Sequence, residues 1–116
     1  MSKDLIYGFL TFFMLHIIVW FSTNLQFVNK FWQEKSFLIC MALAIPASFC
    51  GYYASKFCFA GLDESAWAVR FIGFGTSYFI FPVLTYVMLN ESMFTAKTLS
   101  CIALSFVIIG IQIFWR

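Results

Sequence analysis

"LIYGFLTFFMLHIIVWFSTNLQFVN", Leu5–Asn29, runs for 25 residues without a charged side chain. A helix needs about 20 residues to cross about 30 Å of hydrocarbon at about 1.5 Å per residue. Three comparable runs follow: Ser36–Ser55 and Phe71–Asn90 with 20 residues each, and Thr98–Trp115 with 18. The charges lie between the runs. The sequence therefore predicts an all-α integral membrane protein, one domain over residues 1–116, with transmembrane helices near 5–28, 36–56, 65–89 and 97–115.

Composition points the same way. Of 116 residues, 63% are hydrophobic and 10% charged, whereas a soluble domain carries roughly one quarter charged. The lipid bilayer is thus the expected surrounding. A closed β-barrel also satisfies its backbone in lipid, but it needs apolar and polar positions to alternate over segments of about ten residues. Phe106–Trp115, "FVIIGIQIFW", does not alternate. The first run exceeds a signal-peptide core and lacks a small-x-small site before its polar end, so it is expected to stay in the mature protein. Phe27, Phe31, Trp32, Trp67 and Trp115 stand where the segments meet water, as interfacial aromatic belts do.

Several function classes find no support. Cys40, Cys50, Cys58 and Cys101 form no Cys-x-x-Cys pair and have no His or acidic companions at ligand spacing, so they read as small apolar filler and no metal or cofactor is expected. The seven Lys and Arg are scattered without a basic tract, which argues against a nucleic-acid partner. With no nucleophile–base pair and no phosphate loop, the chain does not read as an enzyme.

Four crossings put Lys3, Lys56, Arg70 and Arg116 on one side and Lys30, Lys35 and Lys97 on the other. So small an excess gives a weak preference for cytoplasmic termini in a cell (inner) membrane, or no fixed orientation at all. A chain inserted both ways can form antiparallel dimers. The connections "NKFWQEK", "KFCFAGLDESAWAVR" and "NESMFTAK" are too short for a further domain, so function is expected in or beside the bilayer. In the middle one, Asp63 or Ser65 can cap the third helix and Glu64 can lie in its first turn. Arg70 could snorkel to headgroups, pair with Asp63 or Glu64, or meet an anionic substrate.

Each helix shows a distinct face. The second carries a stripe of small residues, Ala44, Ala47, Ser48, Gly51, Ala54 and Ser55, that permits close backbone approach where lipid gives no hydrophobic drive. The fourth repeats this with Ala96, Ser100, Ala103, Val107 and Gly110, facing either its own bundle or a second copy. In the third, Gly73 and Gly75 bracket Phe74 and Pro82 follows, so this helix can bend or be approached closely. Gly75, Tyr78, Pro82, Thr85 and Tyr86 share a broad face of that helix, with two phenols that need partners. The first helix aligns His16, Trp20, Thr23 and Asn24 at i, i+4, i+7 and i+8. An imidazole facing acyl chains would leave polar nitrogens unsatisfied at a cost of a few kcal/mol, so this face is expected to point inward. His16 then either bonds across helices for structure or serves as a proton-exchanging or substrate-contacting group in a cavity. His16, Trp20, Asn24, Tyr78 and Tyr86 are the candidate substrate-facing residues.

Gly73-Phe74-Gly75, the stretch "LNESMFTAKTLSCIALSFVIIGI" at Leu89–Ile111, four helices in this length and near-balanced loop charge together resemble the small multidrug resistance family, within the wider drug/metabolite transporter superfamily. The likeness covers mainly Ala66 to Ile113, with Glu91, Thr95-Ala96 and Gly110 in comparable places. It implies an antiparallel homodimer, fourth helices in the dimer contact, and alternating access around a midplane cavity. The chain departs from the family at one point. The family exchanges protons for cationic substrates on a carboxylate in the middle of helix one, and this helix has no acidic residue beyond Asp4. His16 lies close to the corresponding place, and an imidazole does not attract a lipophilic cation. The expectation is a dimeric transporter of a small neutral or anionic metabolite, proton-linked if His16 titrates. The competing readings are an accessory subunit of a larger membrane complex and one half of a heterodimer.

Overall fold

The computed structural model describes residues 2–115. Helix α1 spans Lys3–Asn24, and a 3-10 turn over Leu25–Phe27 leads to α2, Lys30–Gly61; α3 is Ala66–Leu89 and α4 is Ala96–Phe114. No strand occurs among the described residues. All four helices are long and apolar enough to cross a membrane. The chain is an all-α, four-helix, multi-pass membrane protein.

The four starts use one device. The side chains of Ser2, Asn29, Ser65 and Thr95 accept hydrogen bonds from the backbone N–H three residues on, at 3.0–3.2 Å, satisfying a donor that the helix itself leaves open. At α3 the cap is Ser65; Asp63 and Glu64 lie in the turn before it, both at φ 57°. Helix α3 ends at Asn90, also at φ 57°, whose N–H returns to the carbonyls of Thr85 and Tyr86.

Helix α2 exceeds the 36–56 expected from its charge-free run. Its 32 residues make it about 48 Å long. Lys30, Glu34, Lys35 and Lys56 mark where hydrocarbon gives way to water, but nothing at those positions stops a helix; Asn29 starts it. Pro46 lies inside it, on the exposed side.

The helices lie side by side in the order α2–α1–α3–α4, with only a light contact between α2 and α3. The result is a slab of 48 × 36 × 19 Å, its thin dimension about two helix diameters. Ser2, Gly61, Asp63 and Phe114 border one hollow, which brings the start of α1, the α2–α3 connection and the end of α4 to the same end of the slab.

The α1–α2 seam is antiparallel and tight. A Cβ on Gly8 would overlap Cys58 Sγ and stand 3.0 Å from the Cys58 amide nitrogen. One on Gly61 would stand 2.8 Å from the Leu5 amide nitrogen, and Gly51 faces Leu15. The seam on α2 runs through buried Cys50, Ala54 and Cys58, one residue every turn, so thiols fill positions where larger side chains would hold the backbones apart. Of the small-residue stripe expected there, Ala44, Ser48 and Ser55 are exposed.

Helix α3 passes without a break through Gly73, Gly75 and Pro82, the positions expected to make it flexible. The two glycines serve close approach. Two residues apart they sit about 200° apart around the axis, so they serve opposite neighbours. A Cβ on Gly73 would come within 3.0 Å of the Phe12 ring on α1, and one on Gly75 within 2.6 Å of Ile109 on α4. Helix α4 turns Ile102 and Ser105 toward α3. Its other side carries Ser100, Ala103 and Val107, all exposed, and Gly110, around which a Cβ would meet nothing within 4 Å. The α4 stripe therefore faces away from its own bundle.

Candidate functional site

Two side-chain hydrogen bonds stitch α1 to α3. His16 Nε2 lies 2.9 Å from Thr76 Oγ1, and the Trp20 indole N–H donates to Thr85 Oγ1 at 3.0 Å. Trp20 is 2% exposed, Thr76 0% and Thr85 6%, so these polar atoms meet protein rather than lipid. The numbers rise together because α1 and α3 run parallel. A threonine hydroxyl carries one proton, and that of Thr76 is directed at its own helix, 2.8 Å from the Ile72 carbonyl and 3.1 Å from that of Gly73. With that proton on its own helix, Thr76 Oγ1 can accept from His16 in its Nε2–H tautomer. The ring stacks on Phe12 one turn earlier, centroids 5.8 Å apart and planes 11° from parallel.

His16 also lines a cleft of about 470 Å³ between α1, α2 and α3. Phe12 joins it from α1, Ser55 from α2, and Arg70, Phe74 and Ser77 from α3. Those α3 residues recur at i, i+4 and i+7, one face of the helix. Ser77 donates to the Phe74 carbonyl at 2.7 Å. Arg70 is exposed at the cleft. Among the described residues no carboxylate lines the cleft.

The other expected substrate-facing residues lie elsewhere. Asn24 closes the end of α1, its amide donating to the Trp20 carbonyl at 3.2 Å and to Thr23 Oγ1 at 2.9 Å. Tyr78 sits about 200° around α3 from Thr76 and lines a separate hollow of about 100 Å³ with Thr85, Glu91 and Thr98, toward α4. Tyr86 is 55% exposed and borders a small apolar hollow with Pro82 and Phe94. The face that bears Gly75, Tyr78, Pro82 and Thr85 thus looks toward α4, and only Thr85 is reached by α1, through the long indole of Trp20. Thr76, the partner of His16, was not singled out by sequence. Nine residues separate it from Thr85, about half a turn out of phase on a straight helix, so no count along one face pairs the two. Comparison with protein-family models, with curated proteins and with solved structures finds no match to this chain, which leaves the cleft beside His16 as the ground for assigning a function.

Proposed function

We propose that this chain is a small transporter of the drug/metabolite type, acting as a dimer in the cell (inner) membrane and moving a small neutral or anionic molecule through the cleft beside His16. The observation that supports it is a partly open, largely apolar cleft with an imidazole, a guanidinium and two hydroxyls around it and, among the described residues, no carboxylate. Such a lining favours neutral or negative cargo over cations. The seams on either side of α1 differ in a way that suits alternating access. Along α2 the backbones meet at Gly8 and Gly61, which makes a rigid pair. Along α3 the polar ties are two hydrogen bonds, each worth roughly 0.5–2 kcal/mol between membrane helices, weak enough to break and reform. A second copy of the chain would cover the outward face of α4.

Purified protein in liposomes tests this with a panel of radiolabelled neutral and anionic metabolites. Saturable uptake is expected for at least one. His16→Gln, which keeps an N–H donor near the Nε2 position and removes the titrating ring, should lower that uptake at least tenfold with little change in thermal midpoint if the ring moves protons. Uptake no faster than in protein-free liposomes across the panel contradicts transport.

An accessory role is the second reading, favoured by α2, whose first 20 residues include none that is buried and expose Phe37, Leu38, Met41, Ile45 and Phe49. Stoichiometric co-purification with a larger membrane protein after gentle extraction would support it, and a stable isolated homodimer would count against it.

A further inference from the structure

The cleft has a direction. Arg70 lies about one turn inside the start of α3, just past Trp67, while Thr76, which holds His16, lies about 9 Å further along the axis. A cation therefore stands toward the membrane surface and an imidazole deeper. Between them the walls are apolar, with Phe12 and Leu15 on α1 and Phe74 on α3. A guanidinium is weakly hydrated and presents paired donors that match a carboxylate or a phosphate oxygen pair. Arg70 is exposed at the cleft, where those donors can meet a ligand.

We infer that the cleft binds amphipathic organic anions, with the carboxylate or phosphate on Arg70 at the mouth and an apolar body between Phe12 and Phe74 whose far end reaches His16. This rests on the reading of the cleft as the substrate site, and it narrows the cargo to molecules with one charged end and an apolar body about 9 Å long. The same chemistry is offered by a soluble metabolite and by the headgroup and first carbons of an anionic lipid.

The test uses the full chain in nanodiscs of phosphatidylcholine and, in parallel, of phosphatidylcholine with phosphatidylglycerol. Radiolabelled 4-phenylbutyrate is the probe, and 4-phenylbutylamine, of like shape and opposite charge, is its control. Saturable binding of the carboxylate without binding of the amine is expected. Arg70→Gln should weaken carboxylate binding roughly ten- to hundred-fold, the size of a lost charge-assisted hydrogen-bond pair. Arg70→Lys, which keeps the charge and loses the fork, should fall between. Binding unaffected by phosphatidylglycerol assigns the site to soluble anions; competition by phosphatidylglycerol assigns it to lipid headgroups. Equal binding of the two probes, or unchanged binding in Arg70→Gln, overturns the inference and leaves Arg70 as a snorkelling side chain. The two proposals fail separately. Carboxylate binding without flux in liposomes removes transport and keeps the anion site, whereas flux of the amine alone keeps transport and removes the anion site.

Discussion

Acyl chains offer the His16 imidazole and the Trp20 indole no hydrogen-bond partner, so their partners are found across the helix seam, on Thr76 and Thr85. The two threonines test this separately. Thr85→Val keeps the shape of the side chain but leaves the buried indole N–H without an acceptor; it should lower stability by about 1–2 kcal/mol in an SDS titration of refolded protein. A double-mutant cycle of His16→Ala with Thr76→Val should give a coupling of about 0.6–1.5 kcal/mol, and additivity within about 0.3 kcal/mol would mean that the bond is not made. The inward turn of His16 was legible in the sequence, because hydrocarbon penalises the alternative. Its partner was not, because a threonine on an apolar helix can satisfy its hydroxyl on its own backbone and so leaves no signature. Asn24 misled for the same reason: its amide is satisfied within α1, at the carbonyl of Trp20.

Helices in lipid are sorted by how closely their backbones can meet, and the glycines make this measurable. Gly8→Ala should destabilise the chain by roughly 1–3 kcal/mol, since its Cβ meets Cys58 along a backbone seam that has no room to yield. Adding Cys58→Ala should recover part of that loss by removing the sulfur, though not all, because the Cys58 amide nitrogen stays 3.0 Å from the new Cβ. Gly110→Ala should leave the fold of the protomer unchanged, as nothing lies within 4 Å of its Cβ; SDS titrations of the three variants decide between these outcomes. The number and placement of helices could be read from charge alone. Their ends could not, as α2 shows, because charges at Lys30–Lys35 mark the water boundary while Asn29 sets the helix start. Likewise the spacing of Gly73 and Gly75 left bending and close approach equally open until Phe12 and Ile109 were seen on opposite sides of α3.

As a whole the molecule is a slab with both described ends of the chain at one edge. Reporters fused to the two termini should therefore always report the same side. With four Lys and Arg on the terminal side against three opposite, Gln33→Lys with Ser92→Lys makes the count four against five and should shift orientation away from cytoplasmic termini. Reporters that disagree between the two termini would mean fewer or more than four crossings. The slab leaves α4 with an outer face and places the cleft beside α1, so the account turns on which way the first helix faces. His16 is the only histidine in the chain, so selective ¹⁵N-histidine labelling gives a single-site readout by solid-state NMR in lipid. The structure predicts an Nε2 hydrogen-bonded to a threonine oxygen, with cross-peaks to Thr76. An imidazole whose contacts are with acyl-chain protons, and none with Thr76, would contradict it.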